Sequence, residues 1–156
     1  MNESWADIAF GSDDGMLFVD YLESLSESEK LDLILVYTKC DLEKYISDPS
    51  LLESDTTIEL QLGPMTGEAL YAQVVITLGA ILAECKNAGQ ADLASGPHGT
   101  KTLRLEATET ELRLVADTLA NLRSNTDRHY FFELVEDYLE EVVGVMTEIE
   151  QSLRAS

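Results

Sequence analysis

The stretch that most restricts the fold is TGEALYAQVVITLGAILAECKN, residues 66–87. It reads as one long helix. Leu70, Tyr71, Val74, Val75, Ile76, Leu78, Ile81 and Leu82 spread over most of its circumference, and Gln73, Thr77 and Glu84 trace a narrow polar stripe between them. A helix that is apolar nearly all round is buried nearly all round. Any fold open to this chain must therefore wrap other elements around residues 66–87, from the same copy or, in a homodimer, from a second one. The apolar run from Ala69 to Ala83 contains Gln73 and Thr77 and falls short of the roughly 20 apolar residues that a membrane span needs. Gly79 within such a helix costs about 1 kcal/mol against alanine. Close approach of a neighbouring element recovers that cost.

The rest of the chain supplies the wrapping. Ser12-Asp13-Asp14-Gly15 opens a helix to about Leu25, with Phe18, Tyr21, Leu22 and Leu25 on one side and Asp20 and Glu23 on the other. Ser26 and Glu29 have the spacing of a capping box, which predicts a helix to about Ser47 with Leu31, Ile34, Leu35, Leu42, Tyr45 and Ile46 on its apolar face. Asp48-Pro49 ends it, because the residue before a proline is pushed out of the helical region. TTIELQL, residues 56–62, alternates as a half-buried strand, and KTLRLE, residues 101–106, alternates again and is its expected partner in either direction. Thr108 and Glu111 form a second capping box for a helix to about Arg123. Asn125-Thr126-Asp127 starts a last helix to about Leu153. The expected class is α+β, mostly α: about five helices around a central apolar helix with a small two-stranded sheet, in a single domain spanning residues 1–156.

Charge bounds the partners. Thirty acidic residues face ten basic ones, for a net charge of -20. The acids concentrate in residues 1–60 and 101–156, around a nearly neutral middle. Such a chain repels nucleic acid and anionic membranes, because each phosphate contact needs a Lys or Arg. It attracts a basic protein. Cys40 and Cys85 fall in helix-like segments and read as unpaired thiols of a reducing compartment. MNESWADIAFGSDDG has neither a basic leader nor a long apolar run, so the expected location is the cytoplasm.

The most charged segment is ELVEDYLEE, residues 133–141. On a continuous helix turning about 100° per residue, Phe131, Val135, Tyr138, Val142, Val145 and Ile149 share one narrow arc. Glu133, Glu136, Asp137, Glu140 and Glu141 take the opposite face. Like charges at i+3 and i+4 repel by about 0.2–0.5 kcal/mol per pair, and no Lys or Arg occurs between Arg128 and Arg154 to relieve them. A solvated face needs acids but does not need an absence of bases.

Other chemistries fit poorly. The Glu-x-x-His pairs of carboxylate metal centres and the spacing of a calcium loop are missing, so no metal and no cofactor is implied. His98 sits in a glycine-rich turn and His129 at a helix start, both without the surroundings of a catalytic base. No nucleotide or hydrolase motif occurs. The arginines of the last third are interleaved with acids and read as intrachain partners.

The expected function is therefore a small acidic module, not an enzyme, that neutralises a basic protein. The physical type is an immunity protein, or antitoxin, covering the cationic site of a nuclease-like toxin, or an inhibitor that imitates nucleic acid. Its expected contact residues are Glu133, Glu136, Asp137, Glu140 and Glu141, with Asp13, Asp14, Asp20 and Glu23 as a second patch. A dimeric secretion chaperone or adaptor is the alternative, with a small enzyme behind it.

Overall fold

The computed structural model of the protein describes residues 3–28, 31–62, 65–92 and 102–155. In chain order its elements are α1 (Glu3–Phe10), α2 (Asp13–Ser28), α3 (Leu33–Cys40), α4 (Leu42–Ser47), β1 (Thr57–Leu62), β2 (Met65–Leu70), α5 (Tyr71–Ala88), β3 (Ala91–Asp92), β4 (Thr102–Leu103), α6 (Glu109–Ser124), α7 (Tyr130–Leu134) and α8 (Leu139–Arg154). Short 3-10 turns occupy Pro49–Leu51, Thr126–Arg128 and Glu136–Tyr138.

The α+β, mostly α class and the central helix are both as the apolar pattern requires. Every residue of α5 from Tyr71 to Ala83 is buried, with α1, α2, α6 and α8 around it and the β1–β2 hairpin against its first turns. At Gly79 both α6 and α8 come close to α5. A Cβ there would lie 3.0 Å from Leu119 Cδ1 of α6 and 3.2 Å from Ile149 Cγ2 of α8. The missing side chain lets both helices close on α5.

The polar stripe of α5 also has a structural use. Thr77 Oγ1 donates to the Ala9 carbonyl at 2.8 Å, and Gln73 Nε2 donates to the carbonyls of Ile8 and Ala9 at 3.2 and 3.3 Å and to Thr77 Oγ1 at 3.1 Å. Ile8 and Ala9 lie in the last turn of α1, where carbonyls lack intrahelical partners. Two buried side chains thus finish a helix whose end is covered by protein.

Three boundaries differ from the sequence reading. The central helix starts at Tyr71, because residues 65–70 form β2, antiparallel to β1 in a register from Leu62↔Met65 to Thr57↔Leu70. The partner of 56–62 is therefore not 101–106. Closing a pair across two residues costs much less chain entropy than closing one across a whole helix. Helix-compatible Glu68 and Ala69 hid the strand, and Gly67 fits it because a Cβ there would come within 2.7 Å of Leu17 Cδ2 on α2. The second alternating segment is split instead: Thr102–Leu103 pairs with Ala91–Asp92, and Glu106 exchanges backbone bonds with Leu31 and Leu33.

The helix expected to run to Ser47 is likewise divided. α2 continues to Ser28, and Ser26 Oγ bonds back to the Glu23 carbonyl at 2.8 Å rather than capping a new helix. Glu29 lies outside the described residues. The new start is Asp32, whose Oδ1 accepts from Leu35 N at 2.8 Å. Asp41 then takes a left-handed conformation, φ 58°, and separates α3 from α4. Aspartate accepts that conformation more readily than most residues. The change of direction buries Leu42 completely and sets Tyr45 edge-on to Tyr71 at 5.6 Å, while Ile34 stays 65% exposed. The capping box at Thr108 and Glu111 forms as read, with both reciprocal bonds.

These contacts set a test of the core. Thr77→Val leaves the buried Ala9 carbonyl short of its best donor and should cost about 1–3 kcal/mol. Gly79→Val forces α6 and α8 outward and should cost a similar amount, about 1–3 kcal/mol. Urea midpoints measure both, and an unchanged midpoint for either variant removes the role given to that residue.

Candidate functional site

Residues 133–141 do not lie on one helix. After the 3-10 turn at Thr126–Arg128, His129 opens the five-residue α7, and Val135 leaves the helical region with φ -110° and ψ 16°. A 3-10 turn over Glu136–Tyr138 leads into α8. The single long amphipathic helix is thus corrected to two helices with a break.

The physical gain is twofold. The break puts Glu140 and Glu141 in the first turn of α8, where the helix dipole favours negative charge. It also rephases the apolar residues. On an unbroken helix turning about 100° per residue, Tyr138 would share the buried arc with Phe131 and Val142. Here Phe131, Val135 and Val142 are buried, whereas Tyr138 is 44% and Leu134 56% exposed. Glu133, Glu136, Asp137, Glu140 and Glu141 are all exposed, and among the described residues no ion pair reaches any of them.

The break faces the α1–α2 corner across a groove of about 270 Å³. Asp7, Asp13 and Asp14 line one side, and Leu134, Val135 and Tyr138 line the other. Leu70 and Gln73, where β2 meets α5, contribute to it as well. Ser12 sets the corner by accepting from Gly15 N at 3.1 Å through its hydroxyl and from Met16 N at 3.0 Å through its carbonyl. Asp14 is fixed in place, because its Oδ2 accepts from Leu70 N at 2.9 Å. Of the expected contact acids, Asp13 and Asp14 line the groove; the five acids of 133–141 are not among its lining but alternate in sequence with Leu134, Val135, Tyr138 and Val142, which are. Asp20 and Glu23 lie farther along α2 and are not among its lining. Sequence reasoning missed Asp7, because α1 was not read, and it placed Tyr138 in the core.

Several of the described basic side chains are engaged elsewhere. Arg123 meets Glu150 at 2.7 Å, and Arg154 bridges Glu150 at 3.0 Å and Asp117 at 2.7 Å. These pairs clasp α6 to α8. Lys86 donates to the Ser152 and Ala155 carbonyls at the end of α8, and Arg113 and Lys44 pair within their own helices or turns with Glu109 and Asp41. Of the residues lining the groove, none is basic.

Other candidate chemistry is weak in the structure. Cys40 is buried, and burial pushes its thiol up to about 12, which removes the thiolate a nucleophile needs. Cys85 is also unpaired and shifted upward, chiefly by burial. His129 is buried against Phe132, and burial followed by the neighbouring Arg128 charge lowers its pKa. His98 lies outside the described residues. Among the described residues no group of three or more His, Cys, Asp or Glu is placed to hold a metal. No described helix is long and apolar enough to cross a membrane. A larger recess of about 620 Å³ near Cys40 mixes Lys39 and Lys44 with Asp41, Glu59 and Glu68, so its local charge is mixed rather than one-signed.

Two measurements follow from this arrangement. Both cysteines of the native chain should react with a thiol reagent at neutral pH much more slowly than those of the unfolded chain, and native reactivity equal to the unfolded rate would contradict the burial of Cys40. The melting temperature should rise between low and moderate salt as repulsion around residues 133–141 is screened; a flat response would mean that the repulsion is relieved in some other way.

Comparison with known proteins gives one match. The model of the family described as Immunity protein 68 matches residues 1–153. No curated protein and no solved structure matches the chain.

Proposed function

The chain belongs to the Immunity protein 68 family, and from that premise we propose that it neutralises its toxin by docking a basic surface of it against the acidic groove between the α1–α2 corner and the α7–α8 break. The role that goes with the family is immunity, which means binding a toxin. The nature of the toxin surface and the place of contact are the proposal.

One observation carries it. The acids of residues 133–141 stand exposed without a basic partner among the described residues, beside two exposed apolar side chains, Leu134 and Tyr138. Elsewhere Lys44, Arg113, Arg123 and Arg154 pair with acids. An interface with apolar anchors at its centre and charge at its rim is the usual anatomy of a tight protein complex. A nuclease suits it best as the toxin class, because a site that binds phosphates is cationic and carboxylates can answer it with charge-assisted bonds. The partner-binding residues proposed are Glu133, Glu136, Asp137, Glu140, Glu141, Asp13 and Asp14, with Asp20 and Glu23 extending the field along α2.

Co-expression with the toxin tests the reading. Reversing Glu136, Asp137, Glu140 and Glu141 to lysine together should abolish protection while the chain still folds. Association of the unaltered chain with the toxin domain should slow at least tenfold when salt rises to several times the physiological level. Full protection by the reversed variant, or a salt-independent association rate, would remove the acidic face from the mechanism.

A further inference from the structure

The acidic rim accounts for attraction but not for what enters the groove. Its volume of about 270 Å³ lies below the roughly 300–1,000 Å³ typical of sites for drug-sized ligands and cofactors. The space suits a protein side chain. Its two sides differ in chemistry: Leu134, Val135 and Val142 offer apolar surface, and Asp7, Asp13 and Asp14 offer carboxylates.

We infer that the groove receives one arginine side chain of the toxin, its aliphatic stem against Leu134 and Val135, its guanidinium stacked on Tyr138 and held by Asp13 and Asp14. This rests on the reading of the chain as a toxin neutraliser that docks a basic surface, and it adds which residue of that surface is seated. Only a long cationic side chain presents both an apolar stem and a charged head. Arginine fits better than lysine on three counts. Its guanidinium is more weakly hydrated, its plane stacks on aromatic rings, and its fork of donors matches carboxylate oxygens. Asp14 is already oriented by Leu70 N, and a carboxylate has acceptor capacity for about four hydrogen bonds, so one such bond does not exhaust it. The absence of any basic lining residue leaves the charge of the pocket for the incoming group. Arginine and tyrosine are also the residues that most often dominate binding energy at protein interfaces.

Two sets of measurements test this. In the first, n-butylguanidinium is titrated into the chain and backbone amide shifts are followed. Saturable shifts are expected at Asp14, Leu134 and Tyr138 in the millimolar range, with several-fold weaker binding of n-butylammonium and none of n-butanol. The variant Tyr138→Arg, which offers the groove a guanidinium of its own, should lose the response. Equal shifts with n-butanol, or no saturable shift at these residues, overturn the assignment.

The second set uses the catalytically silenced toxin domain. Leu134→Ser and Tyr138→Ala remove exposed side chains, so their urea midpoints should stay near that of the unaltered chain. Each should weaken toxin binding at least tenfold. Ile34→Ser, an exposed apolar change outside the groove, should not. Unchanged binding by both groove variants, while reversal of the acidic rim still abolishes it, sinks the arginine seat and leaves the acidic docking surface standing. Unchanged binding by both groove variants and the rim variant sinks both. If the chain instead forms a dimer that the groove variants dissolve, the occupant is a second copy and the arginine assignment is wrong.

Discussion

The burial of α5 on all sides governs the structure. A helix with no solvent face cannot stand at the edge of a bundle, so every neighbour must present it an apolar stripe. α1 and α2 do so along one part of its surface, and α6 and α8 along another, the latter closing to van der Waals contact at Gly79. The two polar side chains that α5 carries inward, Gln73 and Thr77, are satisfied by the carbonyl end of α1, which fixes where α1 stops and where the chain must turn into α2. The groove follows from this arrangement. It lies where the α1–α2 corner and the α7–α8 break approach each other over the first turn of α5, with Leu70 and Gln73 beneath.

Charge is distributed with the same economy of position. Arg123 and Arg154, with Glu150 between them and Asp117 beyond, tie α6 to α8, and Lys86 serves the last carbonyls of α8. The Arg123–Glu150 pair is partly buried and the Arg154–Asp117 pair more exposed; exposed pairs contribute little stability singly. The five exposed acids of residues 133–141 lie before and at the start of α8, and the arginine cluster lies at its far end.

The patterns legible in the sequence were those set by local physics. The all-round apolar helix, the alternation of 57–62, the capping box at Thr108 and the stop at Pro49 each depend on residues within a few positions of one another, and each is found. What the sequence hid depended on tertiary competition. Glu68, Ala69 and Leu70 suit a helix, but pairing with β1 outweighs that weak preference. Asp41 breaks a helix that periodicity would continue, because Leu42 and Tyr45 reach the core only after a turn. The site was half legible. Its acids were visible as a run without bases, whereas Tyr138 was assigned by helical phase, and a phase argument fails wherever the helix is interrupted.

That interruption connects fold to proposed function. Neither proline nor glycine occurs between Phe131 and Val142, so the break is not imposed by backbone chemistry. It costs helical hydrogen bonds and leaves apolar surface of Leu134 and Tyr138 in water, where burial would be worth about 25 cal/mol per Å². Part of the cost is offset by placing Glu140 and Glu141 at a helix start. The remainder is a surface that gains free energy when a partner covers it. On the proposed reading the two components act at different ranges. Screening limits the acids to a reach of about 8 Å at physiological ionic strength, far enough to orient an approaching cation, while Leu134 and Tyr138 act only at contact. Charge then sets how fast the partner arrives, and the groove sets how long it stays.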